Sequence, residues 1–132
     1  MFPKPTTFVD DDPILFVDDD ALCSLDTCTA LRELGYNVLC AHTAQGALDT
    51  LGARRALTAL VTDIDLGEGP DGFEVARAAR LTYPNLAVVF ISGTAAARHA
   101  AEGVCRSEFI AKPYQPQQIA EALDRTMGLE AA

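Results

Sequence analysis

The sequence predicts an α/β fold: a doubly wound parallel sheet with helices on both faces. Two observations predict it. Short apolar runs rich in Val, Ile, Leu and Phe recur at 14–17, 37–41, 57–62, 87–92 and 108–111, each bounded by acids, glycine or polar residues, as strands buried on both faces are. Stretches of helical periodicity separate them, and strands linked by right-handed helical crossovers build such a sheet.

Residues 1–12 hold two prolines and three consecutive acids and read as a mobile acidic leader. After strand 14–17, residues 21–34 put Leu22, Leu25, Cys28 and Ala30/Leu31 on one helical face, with Asp20 able to cap the start and Gly35 the end. Strand 37–41 leads to a helix that Thr43 can cap and that runs to Leu51. Beyond strand 57–62, residues 72–81 repeat the apolar Phe73, Val75, Ala76 and Ala79. Strand 87–92 is followed by 95–101, whose alanines favour helix although its only large side chains are Arg98 and His99. Strand 108–111 precedes a last helix over 116–127, opened by Pro116 in the first turn and carrying Ile119, Leu123 and Met127 on one face.

The chain of 132 residues is 49% hydrophobic, which suits one domain with one core, and its formal charge of −9 speaks against nucleic-acid binding. No run approaches the roughly 20 apolar residues of a membrane span, and residues 1–5 lack the pattern of a secretory signal. The expected location is the cytoplasm. Cys23, Cys28, Cys40 and Cys105 form no C-x-x-C pair and read as small buried hydrophobes rather than zinc ligands.

In open parallel sheets the chemistry gathers at the carboxyl ends of the strands. Those ends carry Asp18 and Asp19, Asp63, Ser92 and Lys112. Carboxylates about 4 Å apart repel by about 4 kcal/mol at an effective dielectric of about 20, so three acids on one rim call for a cation. Oxygen donors without thiol or imidazole suit a hard ion, and Mg2+ works well beside phosphate oxygens. A metal, a carboxylate nucleophile, a lysine and a hydroxyl are the equipment of phosphoryl transfer.

Four segments, Ile14-Leu15-Phe16-Val17-Asp18-Asp19-Asp20, Val61-Thr62-Asp63-Ile64-Asp65-Leu66 with Asp71-Gly72 after it, Val89-Phe90-Ile91-Ser92-Gly93 and Phe109-Ile110-Ala111-Lys112-Pro113-Tyr114, resemble the response-regulator receiver family of two-component signalling. The resemblance implies a flavodoxin-like sheet of order 2-1-3-4-5, a receiver domain over 13–128 and a short tail over 129–132. It implies that Asp63 accepts a phosphoryl group from a sensor histidine kinase, a histidine phosphotransfer protein or a small acyl phosphate. Asp19 would bind Mg2+ directly, Asp18 through a water, and the backbone carbonyl of Asp65 would add a ligand. Lys112 would pair with the phosphoryl group and Ser92 would hydrogen-bond to it. Phe109 would turn inward when Ser92 is drawn to the phosphate, altering the surface formed by 95–101, 108–111 and 116–127. A cis peptide bond would join Lys112 to Pro113. The protein would be a monomer or weak homodimer, with no more than slow self-phosphorylation and self-dephosphorylation. Nothing resembling an output domain follows the last helix, so signalling by protein contact or phosphorelay is expected, and Met1 with the leader favours a natural stand-alone protein.

Two departures from the family pattern stand out. Gly67 occupies a position where proline is common, in a loop one residue longer than usual, and Asp65 is an unusual acid two places after the acceptor, expected to alter the lifetime of the phosphorylated state. Phe8-Val9-Asp10-Asp11-Asp12 duplicates Phe16-Val17-Asp18-Asp19-Asp20; only the second copy follows a full apolar strand and precedes a helix, so it is taken as the site. His42 and His99 are read as ordinary residues apart from the acids. Two rival readings are a haloacid-dehalogenase-like phosphatase using Asp63 and Asp65 as a D-x-D pair, and a degenerate receiver that serves only as a docking module.

Overall fold

A computed structural model describes residues 12–53, 56–93 and 103–127. Five parallel strands form one sheet: β1 (Ile14–Val17), β2 (Val38–Ala41), β3 (Ala59–Asp63), β4 (Ala87–Ser92) and β5 (Ser107–Ala111), in the order β2-β1-β3-β4-β5. Four helices are described: α1 (Ala21–Glu33), α2 (Ala44–Ala53), α3 (Gly72–Thr82) and α4 (Pro116–Met127). This is the flavodoxin-like arrangement, and every strand pair is in the expected parallel sense. The leader through residue 11, the first acidic copy apart from Asp12, the 95–101 stretch with His99, and the 129–132 tail lie outside the described residues.

Strand ends differ from the sequence pattern by a residue or two, for hydrogen-bonding reasons. Asn37 precedes β2, and its carbonyl accepts from the Ile14 N–H at 2.7 Å. The Thr58 N–H donates to Pro13 at 2.9 Å as a lead-in, and the β3 ladder starts at Ala59 and reaches Asp63, paired with Ile91. That last rung makes Asp63 part of the sheet rather than of a loop.

The sheet buries its two faces in separate clusters. Leu15, Val17, Leu60, Val88 and Phe90 pack under α2 and α3, where the rings of Phe73 and Phe90 sit 4.9 Å apart. Ile14, Phe16, Val61, Val89 and Ile91 pack under α1 and α4, which contribute Cys28 and Leu31, and Ile119, Ala122 and Leu123. Each fully buried aliphatic side chain of this kind contributes about 1.5–3 kcal/mol.

The face of α1 is a correction. Leu22 and Leu25 are 78% and 59% exposed and Ser24 and Thr27 are buried in their place, while Cys28 and Leu31 are buried as expected. The four buried residues still follow helical spacing, i, i+3, i+4 and i+7. The turn near the rim of the sheet meets a polar neighbour, because the Thr27 hydroxyl hydrogen-bonds to the Tyr114 hydroxyl at 2.8 Å. Small polar residues therefore fill the inward slots there. Asp20 caps α1 as expected, accepting from the N–H groups of Leu22 and Cys23. Gly35, with φ of 101°, follows its end. Asp71 and Glu74 form a reciprocal capping box on α3. The cysteines divide: Cys28 is buried, Cys23 is half-buried, and Cys40 and Cys105 are exposed, so the reading of all four as buried hydrophobes holds only for Cys28.

Candidate functional site

The carboxyl ends of β1, β3, β4 and β5 converge as the topology requires. Asp18 directly follows β1 and is held by its N–H, which donates to Ala41 at 3.1 Å. Its side chain is 1% exposed, and Asp63 at the end of β3 is 5% exposed, whereas Asp19 is exposed. Ligand oxygens of Asp18, Asp19 and Asp63 lie within 4.8 Å of one another. Lys112 is fixed by its own N–H, which donates to Ser92 at 2.9 Å, and its Nζ reaches Asp63 Oδ2 at 2.9 Å and Asp18 Oδ2 at 3.8 Å. Ser92, the last residue of β4, is buried beside them in sequence register with Ala111. Phe109 stands opposite Phe90 on β5, half-buried against the α2–α3 cluster. A cis peptide bond joins Lys112 to Pro113.

The loop after β3 is tightly built at one point. The Gly72 N–H donates to Ile64 at 2.8 Å. A Cβ at Gly72 would lie 2.3 Å from the Asp63 carbonyl oxygen, so only glycine lets α3 begin so close to the end of β3. Asp65 lies in the following loop with its side chain exposed, outside the carboxylate cluster, and Gly67 and Gly69 take φ of 84° and 92°.

The electrostatics are unbalanced. Asp18 Oδ1 accepts from the Asp20 N–H at 2.9 Å, but Oδ2 is buried with no hydrogen-bond donor. Burial raises the Asp18 carboxyl above its ordinary value, against the pull of the Asp20 N–H and the charge of Lys112. Burial likewise raises Asp63, and its hydrogen bond and ion pair with Lys112 recover only part of the loss. At Lys112 burial works against the charged form, yet Asp63 and then Asp18 outweigh it and hold the ammonium above its ordinary range. One ammonium thus serves two buried carboxylates. An orphaned, buried oxygen in an all-oxygen donor set fits a hard divalent cation.

Carboxyls raised above the ordinary 3.8 favour folding when protonated, so their contribution is present below that value and is lost as pH rises through the raised ones. Asp18→Asn is expected to melt a few degrees above wild type at pH 7 in chelator, with the gap closing near pH 4. Added Mg2+ is expected to stabilise wild type more than the variant. Melting curves at several pH values check this; a gap independent of pH would contradict it.

The sequence reading placed Asp18, Asp19, Asp63, Ser92 and Lys112 on this rim, and the structure brings the three acids and the lysine together. His42 stays outside the carboxylate cluster, as read; its Nδ1 lies 3.2 Å from the Asp18 backbone carbonyl oxygen, because β2 neighbours β1 and His42 directly follows β2. The sequence reading missed the Thr27–Tyr114 bond, which ties α1 to the segment after Lys112.

Comparison with known proteins decides the family. The model of the response regulator receiver domain matches residues 14–124. The chain belongs to the response-regulator receiver family. A response regulator receiver protein from Sinorhizobium medicae has 34% identity and a TM-score of 0.86, with 91% of this chain and 97% of that one covered. The receiver domain of the hybrid histidine kinase CckA has 27% identity and a TM-score of 0.72 over 87% of this chain and 98% of that one. The receiver domain of a sensor histidine kinase of Pseudomonas aeruginosa, with a magnesium ion coordinated in its active-site cleft, shares the fold at 22% identity and a TM-score of 0.76, over 90% of this chain and 99% of that one. No curated protein matches the sequence. Receiver domains are signalling modules rather than dedicated enzymes, bind Mg2+ at an acidic pocket and are phosphorylated by histidine kinases or phosphotransfer proteins. No described helix is long and apolar enough to cross a membrane.

Proposed function

We propose that this receiver is a phosphoacceptor switch in which Asp63 takes a phosphoryl group from a phosphohistidine in a Mg2+-dependent reaction and signals by protein contact or onward relay. The observation that carries this reading is the Lys112 ammonium held between the buried carboxylates of Asp63 and Asp18 while Asp18 Oδ2 lacks a donor. Asp18, Asp19, Asp63 and the backbone carbonyl of Asp65 would hold the metal. Bound there, Mg2+ supplies neutralising charge for phosphoryl oxygens. An Asp63 carboxylate oxygen forms the new bond to phosphorus as the P–N bond to the donor imidazole breaks, and the imidazole leaves after taking up a proton. Lys112 exchanges part of its contact with Asp63 for a phosphoryl oxygen, and the Ser92 hydroxyl donates to another. Drawing Ser92 inward frees room on the same side of the sheet for Phe109, which carries the signal to the outer surface of β5 and α4.

The D-x-D phosphatase reading gains nothing from the site, since the Asp65 side chain is exposed and outside the acid cluster. Stoichiometry separates the two readings. With Mg2+ and phosphoramidate, a small P–N donor, one phosphoryl group per chain is expected, lost slowly afterwards. Sustained release of phosphate from a phosphate ester would support the phosphatase instead.

A further inference from the structure

We propose that Cys28 and Cys40 form a reversible thiol–disulfide site that responds to hydroperoxides, separate from the acidic rim. On the edge strand β2, Leu39 and Ala41 pack with the α2–α3 cluster and Val38 with the α1–α4 cluster. Cys40, two residues after Val38, therefore stands on the α1 side of the sheet. Its register partner on β1 is Phe16, which belongs to the same cluster as Cys28 on α1. The Cys28 thiol is pushed up to about 12, first by burial and next by the neighbouring Cys40 thiol.

Arg32, one turn after Cys28, closes the arrangement. Its Nη2 donates to the Val38 carbonyl at 2.9 Å and to Cys40 Sγ at 3.9 Å, so the guanidinium spans the joint between α1 and β2. Cys23 and Cys105 have different neighbours, the Tyr114 hydroxyl and the Arg80 guanidinium, each at 3.9 Å. Among the described residues, only Cys28 and Cys40 combine an exposed cysteine with a buried one as its neighbour.

Exposure and burial order the steps. Cys40, open to solvent, attacks a peroxide oxygen as the thiolate; the O–O bond breaks, hydroxide or alkoxide leaves, and Cys40 becomes a sulfenic acid. The Cys28 sulfur then attacks the Cys40 sulfur, its proton leaves with the hydroxyl as water, and the S–S bond forms. Two thiols have given two electrons to one peroxide, and a dithiol returns them by exchange. The bridge would fasten the middle of α1 to the edge of the sheet, closing residues 29–39 in a covalent loop that restricts the unfolded chain.

The full chain treated with hydrogen peroxide and then alkylated under denaturing conditions tests this. The expected result is loss of the mass of two hydrogen atoms, two alkylatable thiols remaining of four, and a linked peptide pair containing Cys28 and Cys40. The melting temperature should rise by several degrees and fall back with dithiothreitol. Cys40→Ser, an exposed change that leaves the core intact, should abolish both effects, while Cys105→Ser should retain them. Four alkylatable thiols after treatment, a bridge between other cysteines, or an unchanged response in Cys40→Ser would each overturn the proposal.

Discussion

Gly72→Ala is expected to lower stability by about 3 kcal/mol, and with it the capacity to accept a phosphoryl group. The added Cβ would lie 2.3 Å from the Asp63 carbonyl oxygen, 2.9 Å from Ile64 Cα and 3.1 Å from the Asp63 carbonyl carbon. All three are backbone atoms, so no flexible side chain can swing aside. Overpacking of this kind costs about 1–3 kcal/mol, occasionally more, and a chain of this size loses about 3–4 °C of melting temperature per kcal/mol. A fall of about 10 °C is the expected result. Relief requires α3 to retreat from β3, which breaks the Gly72–Ile64 hydrogen bond and moves the Asp63 carboxylate away from Lys112. Thermal melts of Gly72→Ala beside Gly52→Ala check the claim. The Cβ at Gly52 meets nothing within 4 Å, and that variant should melt near wild type or slightly above it. Equal melting of Gly72→Ala and wild type would show that the loop has more room than the geometry gives it.

Lys112→Ala is expected to slow phosphoryl acceptance about a hundredfold, the usual cost of removing one preorganised group that meets developing charge. The same change has a separate effect on the protein at rest. It removes the ammonium that salt-bridges both Asp63 and Asp18, leaving two buried acids facing each other. Breaking a fully buried pair costs about 3–5 kcal/mol. The Lys112 side chain is 30% exposed, so water screens part of the loss and about 2 kcal/mol is expected at pH 7 without metal. Mg2+ should restore most of the stability and little of the rate, because a second cation replaces the lysine's charge but not its placement. Stopped-flow phosphorylation and melts with and without Mg2+ measure the two effects separately. Full recovery of the rate by Mg2+ alone would argue that Lys112 acts only as a structural charge.

Much of this was legible in the sequence, and the reasons are local. β1 and β4 are unbroken apolar runs, so Ile14–Val17 and Ala87–Ser92 could be read to the residue. Pro116 and the Ile119–Leu123 spacing marked α4 equally well. Asp18, Asp63 and Lys112 were found because the ends of parallel strands share a rim, which turns positions distant in sequence into neighbours. Hydrophobicity misled at α1. Leu22 and Leu25 were placed inward, yet Ser24 and Thr27 hold those slots, since the site end of α1 meets a tyrosine hydroxyl rather than an apolar surface. The contact of His42 with the Asp18 carbonyl depends on which strands are neighbours, and apolar periodicity carries no strand order. The difference between Asp18 and Asp19, one buried and one exposed, follows from the chain's turn out of the sheet after β1, which no single residue type announces.

Intact mass after incubation with acetyl phosphate and Mg2+, with wild type beside Asp63→Asn and a chelator control, tests Asp63 as the phosphoryl acceptor. Wild type is expected to gain the mass of one phosphoryl group and Asp63→Asn none, and chelator is expected to abolish the gain. An adduct of equal extent on Asp63→Asn would overturn the assignment, because the nucleophile would then be some other group.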